Sequence, residues 1–207
     1  MNRDSHTIWQ EFADEFTLSK AQIDAFKTYY HELVRWNNNI NLTRIVDEHD
    51  VVAYHFMDSL QLGDFYDFAV CNSVADVGTG AGMPGIPLKI RYPHISVVLI
   101  EVVQKKVAFL EHIIRTLGLK DIVVCPIDWR TFLRTTDYQI DLISARASLR
   151  PDELVRAFKP QSAYKNSTIV YWAKSSWEPS GSVAHMVSGQ INYHIGSKQH
   201  AYVFLKN

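Results

Sequence analysis

The sequence predicts an α/β fold built on a mainly parallel sheet. Three observations carry this. From Ser73 onward, short runs rich in β-branched residues alternate with helix-length segments; the first run leads directly into a glycine cluster; and the last two runs lie close together with no helix between them. Strands alternating with helices pair in parallel and are covered on both faces. The closing two runs should instead form a hairpin that adds an antiparallel edge. At 207 residues the chain can bury one core of ordinary size. The change of texture divides it into a helical extension, 1–68, packed on the core, and a sheet domain, 69–207.

The N-terminal quarter reads as helices. Ser19 to Gln22, SKAQ, is a capping-box pattern, and Ile23, Phe26, Tyr30, Leu33 and Val34 follow at helical spacing. The tract NNNINLTRI should end that helix, because consecutive asparagines compete for backbone groups. A second helix is expected from Asp47 to about Leu62. Strand candidates are SVADV (73–77), SVVLIEV (96–102), DIVVCPI (121–127), QIDLISA (139–145), STIVYWAK (167–174), INYHI (191–195) and AYVFLK (201–206). A helix opens near Pro84, where proline costs no backbone bond, and Pro93 stops it. Residues 104–117 form another, with Val107, Leu110, Ile113, Ile114 and Leu117 on one side and Gly118 as its C-terminal cap.

A net charge of -1 argues against bulk electrostatic wrapping along duplex nucleic acid. The charge is unevenly placed. Residues 1–50 hold nine Asp and Glu against five Lys and Arg, and the remainder thirteen against sixteen, so a polyanion should prefer the body of the chain. Cys71 and Cys125 lie in or beside apolar runs, which favours free thiols in a reducing compartment. The opening MNRDSHTIWQEF has no apolar signal core, and nowhere do eighteen apolar residues run together. A cytoplasmic protein without membrane contact is expected.

The stretch DVGTGAGMPG, Asp76 to Gly85, is the densest motif. Gly78 would allow the tight turn after the strand, Gly80 the close approach of a ligand, and Gly82 close packing. No Gly-Lys-Ser or Gly-Lys-Thr follows, which excludes a Walker A loop, and Met83 breaks the dinucleotide pattern G-x-G-x-x-G. What stands is D-x-G-x-G-x-G followed, at the end of the next strand, by Glu101. A carboxylate there can accept both hydroxyls of a ribose. This spacing favours S-adenosylmethionine and leaves another nucleotide, or a structural turn, as alternatives. Lys105 and Lys106 open the next helix on the carboxyl side of the sheet, and Arg146 follows the fourth strand on the same edge, where open α/β folds bind ligands. The alternative for the lysines is a solvated helix start. In HFMDSL, His55 and Asp58 share a helix face and Ser59 adjoins them, as a structural network or as part of the site. Asn41 is placed to cap the turn before Leu42. The nine histidines show no metal-ligand spacing and neither cysteine lies in a nucleophile motif, so neither a metal nor a covalent mechanism is expected.

Taken together, NLTRI (41–45), HFMDSL (55–60), DVGTGAGMPGIPLKI (76–90), LIEVVQKKVAFLEHI (99–113), LGL (117–119) and ARA (145–147) resemble the GidB, or RsmG, family of bacterial small-subunit ribosomal RNA methyltransferases. The resemblance implies a Rossmann-like class I methyltransferase domain behind N-terminal helices, acting on guanine N7 in 16S ribosomal RNA with S-adenosylmethionine. On that basis Asp76, Gly78, Gly80, Gly82, Met83 and Glu101 serve the cofactor, and Asp128, Trp129 and Arg130 lie beside its adenine. Arg146 sits near its methionine end or the target, as a positioning group and not a general base. Lys105, Lys106 and Lys174 would meet RNA. The partner is 16S ribosomal RNA or the small subunit, and a monomer is expected. Two departures stand out: the family usually has Arg-x-Glu where this chain has Asp128-Trp129-Arg130, and Ser175 replaces a glycine after Lys174. Guanine N7 carries a lone pair and no proton, so alignment and electrostatics should suffice. The rival readings are a non-catalytic nucleotide-binding or ribosome-associated scaffold and a nucleotide-dependent oxidoreductase.

Overall fold

A computed structural model describes residues 5–196 and 198–207; residues 1–4 of the expected helical extension lie outside it. Helix α1 (Ser5–Glu15) and helix α2 (Lys20–Ile40) come first. The capping box forms: Ser19 Oγ accepts from the Gln22 amide at 3.3 Å, and Gln22 Oε1 accepts from the Ser19 amide at 2.9 Å. The tract NNNINLTRI ends α2 as expected, at Ile40, but not at its first asparagine: Asn37, Asn38 and Asn39 are still helical. Asn37 closes the helix, its Oδ1 accepting from the amides of Leu42 at 2.6 Å and Thr43 at 2.9 Å. Asn41 therefore does not supply the side-chain cap expected of it; it is the turning residue, at φ 22°.

The second expected helix begins on Asp47, whose side chain caps it, but it is not regular. Helix α3 (Glu48–Val51) widens into a π-helical turn, Val52–Met57, continues as α4 (Asp58–Leu60) and tightens to a 3-10 turn, Gln61–Asp64. The sheet then follows as β1 (Ser73–Val77), α5 (Gly85–Arg91), β2 (Ser96–Ile100), α6 (Gln104–Leu117), β3 (Ile122–Cys125), α7 (Trp129–Thr135) and β4 (Leu142–Arg146). It is completed by α8 (Pro151–Leu154) and a 3-10 turn Val155–Phe158, β5 (Thr168–Lys174), α9 (Gly181–Ala184), β6 (Val187–Ile195) and β7 (Lys198–Leu205). Gly118 ends α6 in the left-handed region, φ 62°, as expected.

The strand order is β3-β2-β1-β4-β5-β7-β6. Strands β1 to β5 pair in parallel, and the closing hairpin adds β7 antiparallel to β5 with β6 outside it. The sequence predicts the hairpin but not which strand lies inside. The chain builds outward from β1 to β3 and then returns to the other side of β1 with β4. The carboxyl ends of β1 and β4 thus flank a topological switch point, where such sheets leave a crevice.

Alternation along the strands feeds two cores. Val74, Val97, Leu99 and Leu142 pack with Phe12, Phe26, Tyr29, Leu33 and Phe56 of the N-terminal helices and with Phe109 and Leu110 of α6. Ala75, Val98, Ile100 and Ile143 face the other way, onto Trp129, Phe132, Leu154 and Phe158. The N-terminal helices thus complete one face of the sheet.

One buried junction fixes those helices to the sheet end. Arg146, the last residue of β4, donates from Nη1 to Asp58 Oδ2 at 2.7 Å and to the Tyr54 carbonyl at 3.2 Å, while its Nη2 lies 3.3 Å from His55 Nδ1. The other Asp58 oxygen accepts from the Tyr193 hydroxyl at 2.6 Å, and the Tyr202 hydroxyl donates to the Asp58 carbonyl at 2.9 Å. His55 Nδ1 lies between the Arg146 guanidinium, at 3.3 Å, and the Tyr54 carbonyl, at 3.2 Å, and its Nε2 faces Thr43 Oγ1, 2.9 Å away. Ser59 is fully buried and donates to the His55 carbonyl at 2.5 Å, which makes it part of this framework. Burial, then the Arg146 charge, depress His55 from 6.5 to about 4.

Removing one partner of a buried ion pair strands the other. Asp58→Ala should cost about 3–5 kcal/mol, read as a fall in the urea midpoint. Between pH 6.5 and about 4 the unfolded chain binds a proton at His55 that the folded chain does not, so this group makes stability rise with pH and fall on acidification. His55→Gln should therefore lose less stability than the parent protein between pH 7 and pH 5 in urea titrations.

Candidate cofactor and substrate site

The loop after β1 is shaped from below. Asp76 is fully buried; its Oδ2 accepts from Thr79 Oγ1 at 2.6 Å and from the Gly85 amide at 2.9 Å, and its Oδ1 from Ser144 Oγ at 3.2 Å. Burial raises its pKa, and those three bonds oppose the rise. With its oxygens occupied beneath the loop, Asp76 shapes the turn from below the crevice. Gly82 and Met83 are packed on the same inner side of the loop. A Cβ on Gly82 would stand 2.5 Å from Ile86 Cδ1 and 2.7 Å from the Tyr29 hydroxyl, and Met83 is buried with its sulfur 3.7 Å from that hydroxyl. Tyr29 of α2 also donates to the Ala81 carbonyl at 2.5 Å, so the N-terminal helices buttress the loop.

Gly78 and Gly80 sit in the left-handed region, at φ 64° and 62°. Gly78 lines a crevice of about 300 Å³ together with Glu101, Val102, Lys106, Asp128 and Ser148. A Cβ on Gly78 would lie 2.6 Å from Ser148 Cβ, so only glycine lets the loop and the segment after β4 stand this close. Beside Gly80 such an atom would have no protein neighbour closer than 4.0 Å. Glu101 is 6% exposed. Its Oε1 accepts from the amides of Val102 and Val103, both at 2.9 Å, and its Oε2 from the Gly80 amide at 3.0 Å, with Lys106 Nζ 3.9 Å away. The carboxylate thus ties the end of β2 to the glycine loop, and Oε2 keeps acceptor capacity for a hydroxyl.

The departure at 128–130 is resolved by helix α7. Asp128 is its N-cap, accepting from the Thr131 amide at 3.0 Å and from Thr131 Oγ1 at 2.6 Å, and these bonds lower its pKa. Trp129 points inward, stacks on Phe132 and donates from Nε1 to the Glu153 carbonyl at 3.0 Å. Both Asp128 and Trp129 reach the crevice wall. Arg130 does not. One residue further round the helix it points outward and forms a bidentate pair with Glu153, at 3.0 and 2.9 Å. That fork, with Arg156, holds the Glu153 carboxyl at about 2.

A second cavity of about 360 Å³ adjoins the crevice through Ala147. It brings together His55, Asp58, Arg146 and Lys174, four residues the sequence singles out, with Tyr54 and Lys198, which it does not. Lys198 Nζ lies 4.1 Å from the Tyr54 ring centroid. Ala147 adopts φ 52°, a strained conformation for a non-glycine residue, at the join between the two spaces. Lys105 and Asn41 line neither cavity. Ser148 and Lys198 carry no motif of their own; only the meeting of β4 with the glycine loop and the hairpin reveals them. Among the described residues no group of three or more His, Cys, Asp or Glu is placed to hold a metal, and no helix is long and apolar enough to cross a membrane.

Comparisons with known proteins bear on this architecture. The family model of GidB, rRNA small subunit methyltransferase G, matches residues 22–194. A ribosomal RNA small subunit methyltransferase G of Halalkalibacterium halodurans is 44% identical over 137 residues, 65% of this chain and 58% of its own length. One of Bacillus cereus (strain B4264) is 40% identical over 136 residues, 65% of this chain and 57% of its own. Each of these matches therefore spans less than two thirds of the relative. A Geobacillus sp. (strain WCH70) counterpart is 36% identical over 175 residues, 84% of this chain and 73% of its own. Among solved structures, M. capricolum TrmK in complex with S-adenosyl-homocysteine shares the fold at TM-score 0.55 and 14% identity, over 72% of this chain and 67% of that one. Mitomycin 7-O-methyltransferase MmcR does so at 0.56 and 14%, over 100% and 74%. The sheet order, the glycine loop held to Glu101 and the family match over most of the sequence agree: this chain belongs to the GidB family, rRNA small subunit methyltransferase G.

Proposed function

We propose that this chain is an S-adenosylmethionine-dependent methyltransferase acting on guanine N7 in 16S ribosomal RNA, in the cytoplasm where ribosomes are built. The observation that supports it most directly is the crevice at the β1/β4 switch point, framed by Gly78 and Glu101 and opening through Ala147 onto a cavity carrying Arg146, Lys174 and Lys198.

The residues present fit the cofactor. Glu101 Oε2 offers an acceptor to a ribose hydroxyl, Gly78 leaves the loop bare, and Ile100, Val102, Ile127 and Leu149 offer apolar walls to an adenine. Bound there, S-adenosylmethionine would supply a sulfonium methyl group. The chain's own contribution is placement. Lys174 and Lys198 are cations for RNA phosphates at the mouth of the second cavity, and Arg146, held by Asp58 and Tyr54, gives that cavity a fixed guanidinium wall. A ring nitrogen with a free lone pair needs no base, and none is offered: His55 is neutral at pH 7 and its Nδ1 is engaged by Arg146. Rate enhancement then rests on alignment in a fixed electrostatic environment.

Methyl transfer from labelled S-adenosylmethionine to small subunits from cells lacking this modification tests the activity; labelling of guanine N7 is expected, and its absence with the folded protein refutes the reading. Glu101→Ala should weaken cofactor binding by roughly 1.5–3 kcal/mol, about tenfold to a hundredfold in calorimetry, the scale of lost bonds to a charged acceptor. Gly78→Ala must both hold an unfavourable φ and displace Ser148. It should cost about 1–2 kcal/mol of stability and, while still folded by circular dichroism, bind S-adenosylmethionine at least about tenfold more weakly.

A further inference from the structure

Arg130 faces away from the crevice and into a different space. That space is a groove of about 700 Å³ between α7 and the segment 156–162. Four cationic side chains line it, Arg130, Arg134, Arg156 and Lys159, with a single carboxylate, Asp128, whose oxygens are already engaged by Thr131. Glu153 neutralises part of this charge from the side, since Arg130 and Arg156 both reach it, at 2.9 Å in each case. Arg134 and Lys159 are exposed, and among the described residues neither makes an ion pair. A chain of net charge -1 thus concentrates uncompensated positive charge in one groove, away from the second cavity.

The position of the groove narrows its ligand. Asp128 lies on both linings, so the groove and the cofactor crevice share a rim. Gln161, Ser162 and Thr131 add neutral hydrogen-bonding groups among the cations. Guanidinium forks and a lysine spread over an open channel suit several phosphates in succession better than one enclosed anion. The mixture of charge and neutral polar groups, without an aromatic platform in the lining, suits a backbone and not stacked bases. We propose that this groove binds the phosphodiester backbone of the RNA substrate, at nucleotides beyond the one presented for modification, with Arg134 and Lys159 as the contacting cations and Arg130 and Arg156 held in place by Glu153. The proposal rests on the reading of the chain as an RNA methyltransferase and adds a second contact surface to it.

The double variant Arg134→Gln, Lys159→Gln tests it, because both side chains are exposed and neither lines the crevice. Its affinity for a 16S ribosomal RNA transcript, measured across a salt series, should fall about tenfold at low salt, and the slope of log K against log salt should shrink by about 1.4, the loss of two single-strand phosphate contacts. Affinity for S-adenosylmethionine should be unchanged. Lys20→Gln, Lys120→Gln, which removes the same charge outside the groove, should leave the slope as it is. An unaltered slope in the groove variant, or an equal drop in the control, overturns the proposal. So does binding of inorganic phosphate that the groove variant loses while RNA affinity is unaltered, which would make the groove a small-anion site. Failure of the wider reading looks different: no methyl transfer by the parent protein while the slope still depends on Arg134 and Lys159.

Discussion

The buried ion pair between Asp58 and Arg146 is the constraint on which the rest of the site depends. Asp58 is 7% exposed and accepts from Arg146 and Tyr193, while its own carbonyl accepts from Tyr202. Helix α4 with the π-helical turn before it, β4, β6 and β7 are thereby held at one point. Burying two charges gains little over an apolar contact of the same shape, because desolvation offsets most of the attraction. What it does impose is a single arrangement, since any slip leaves a charge uncovered. That favours its use where the end of β4, and with it Arg146 and Ala147, must stand at a fixed place beside the crevice.

A second support works from the opposite side. Asp76 under the glycine loop and Glu101 at the end of β2 draw the loop into shape by accepting backbone and hydroxyl protons, and Tyr29 braces it from α2. The N-terminal helices are therefore more than an addition to the sheet domain. They supply one face of its core, the brace under its ligand loop and half of the ion-pair junction.

How much of this the sequence discloses depends on the range of the interaction. Helix α6 and its Gly118 cap are legible to the residue, because periodicity and a left-handed stop are local signals. The capping box at Ser19, the glycine loop and the closing hairpin are legible for the same reason. The asparagine tract marks where α2 ends but not how, since Asn37 caps the helix from within it. The tight turn that the glycine motif encodes buries some of its own members, Asp76 and Met83 among them, and that depth is not visible in the motif. The outward direction of Arg130 is set by the start of α7, one helical step past Trp129. The partner of Arg146 lies 88 residues away, and the groove beside α7 draws Arg134, Arg156 and Lys159 from stretches with no motif. Geometry of that kind appears only when the chain is folded.

The place of β7 in the sheet has a consequence for assembly. Because β7 lies between β5 and β6, the earlier of the two hairpin strands has no sheet edge of its own to join until the later one has been laid down. Until then the open side of β5 offers unpaired amides and carbonyls, the surface on which strands of neighbouring molecules can nucleate. Completing the Asp58 junction also waits on this step, since both tyrosines that reach it belong to the hairpin. This wall of the second cavity is thus closed by contacts of long sequence separation, the class whose loop-closure cost makes them slow to form.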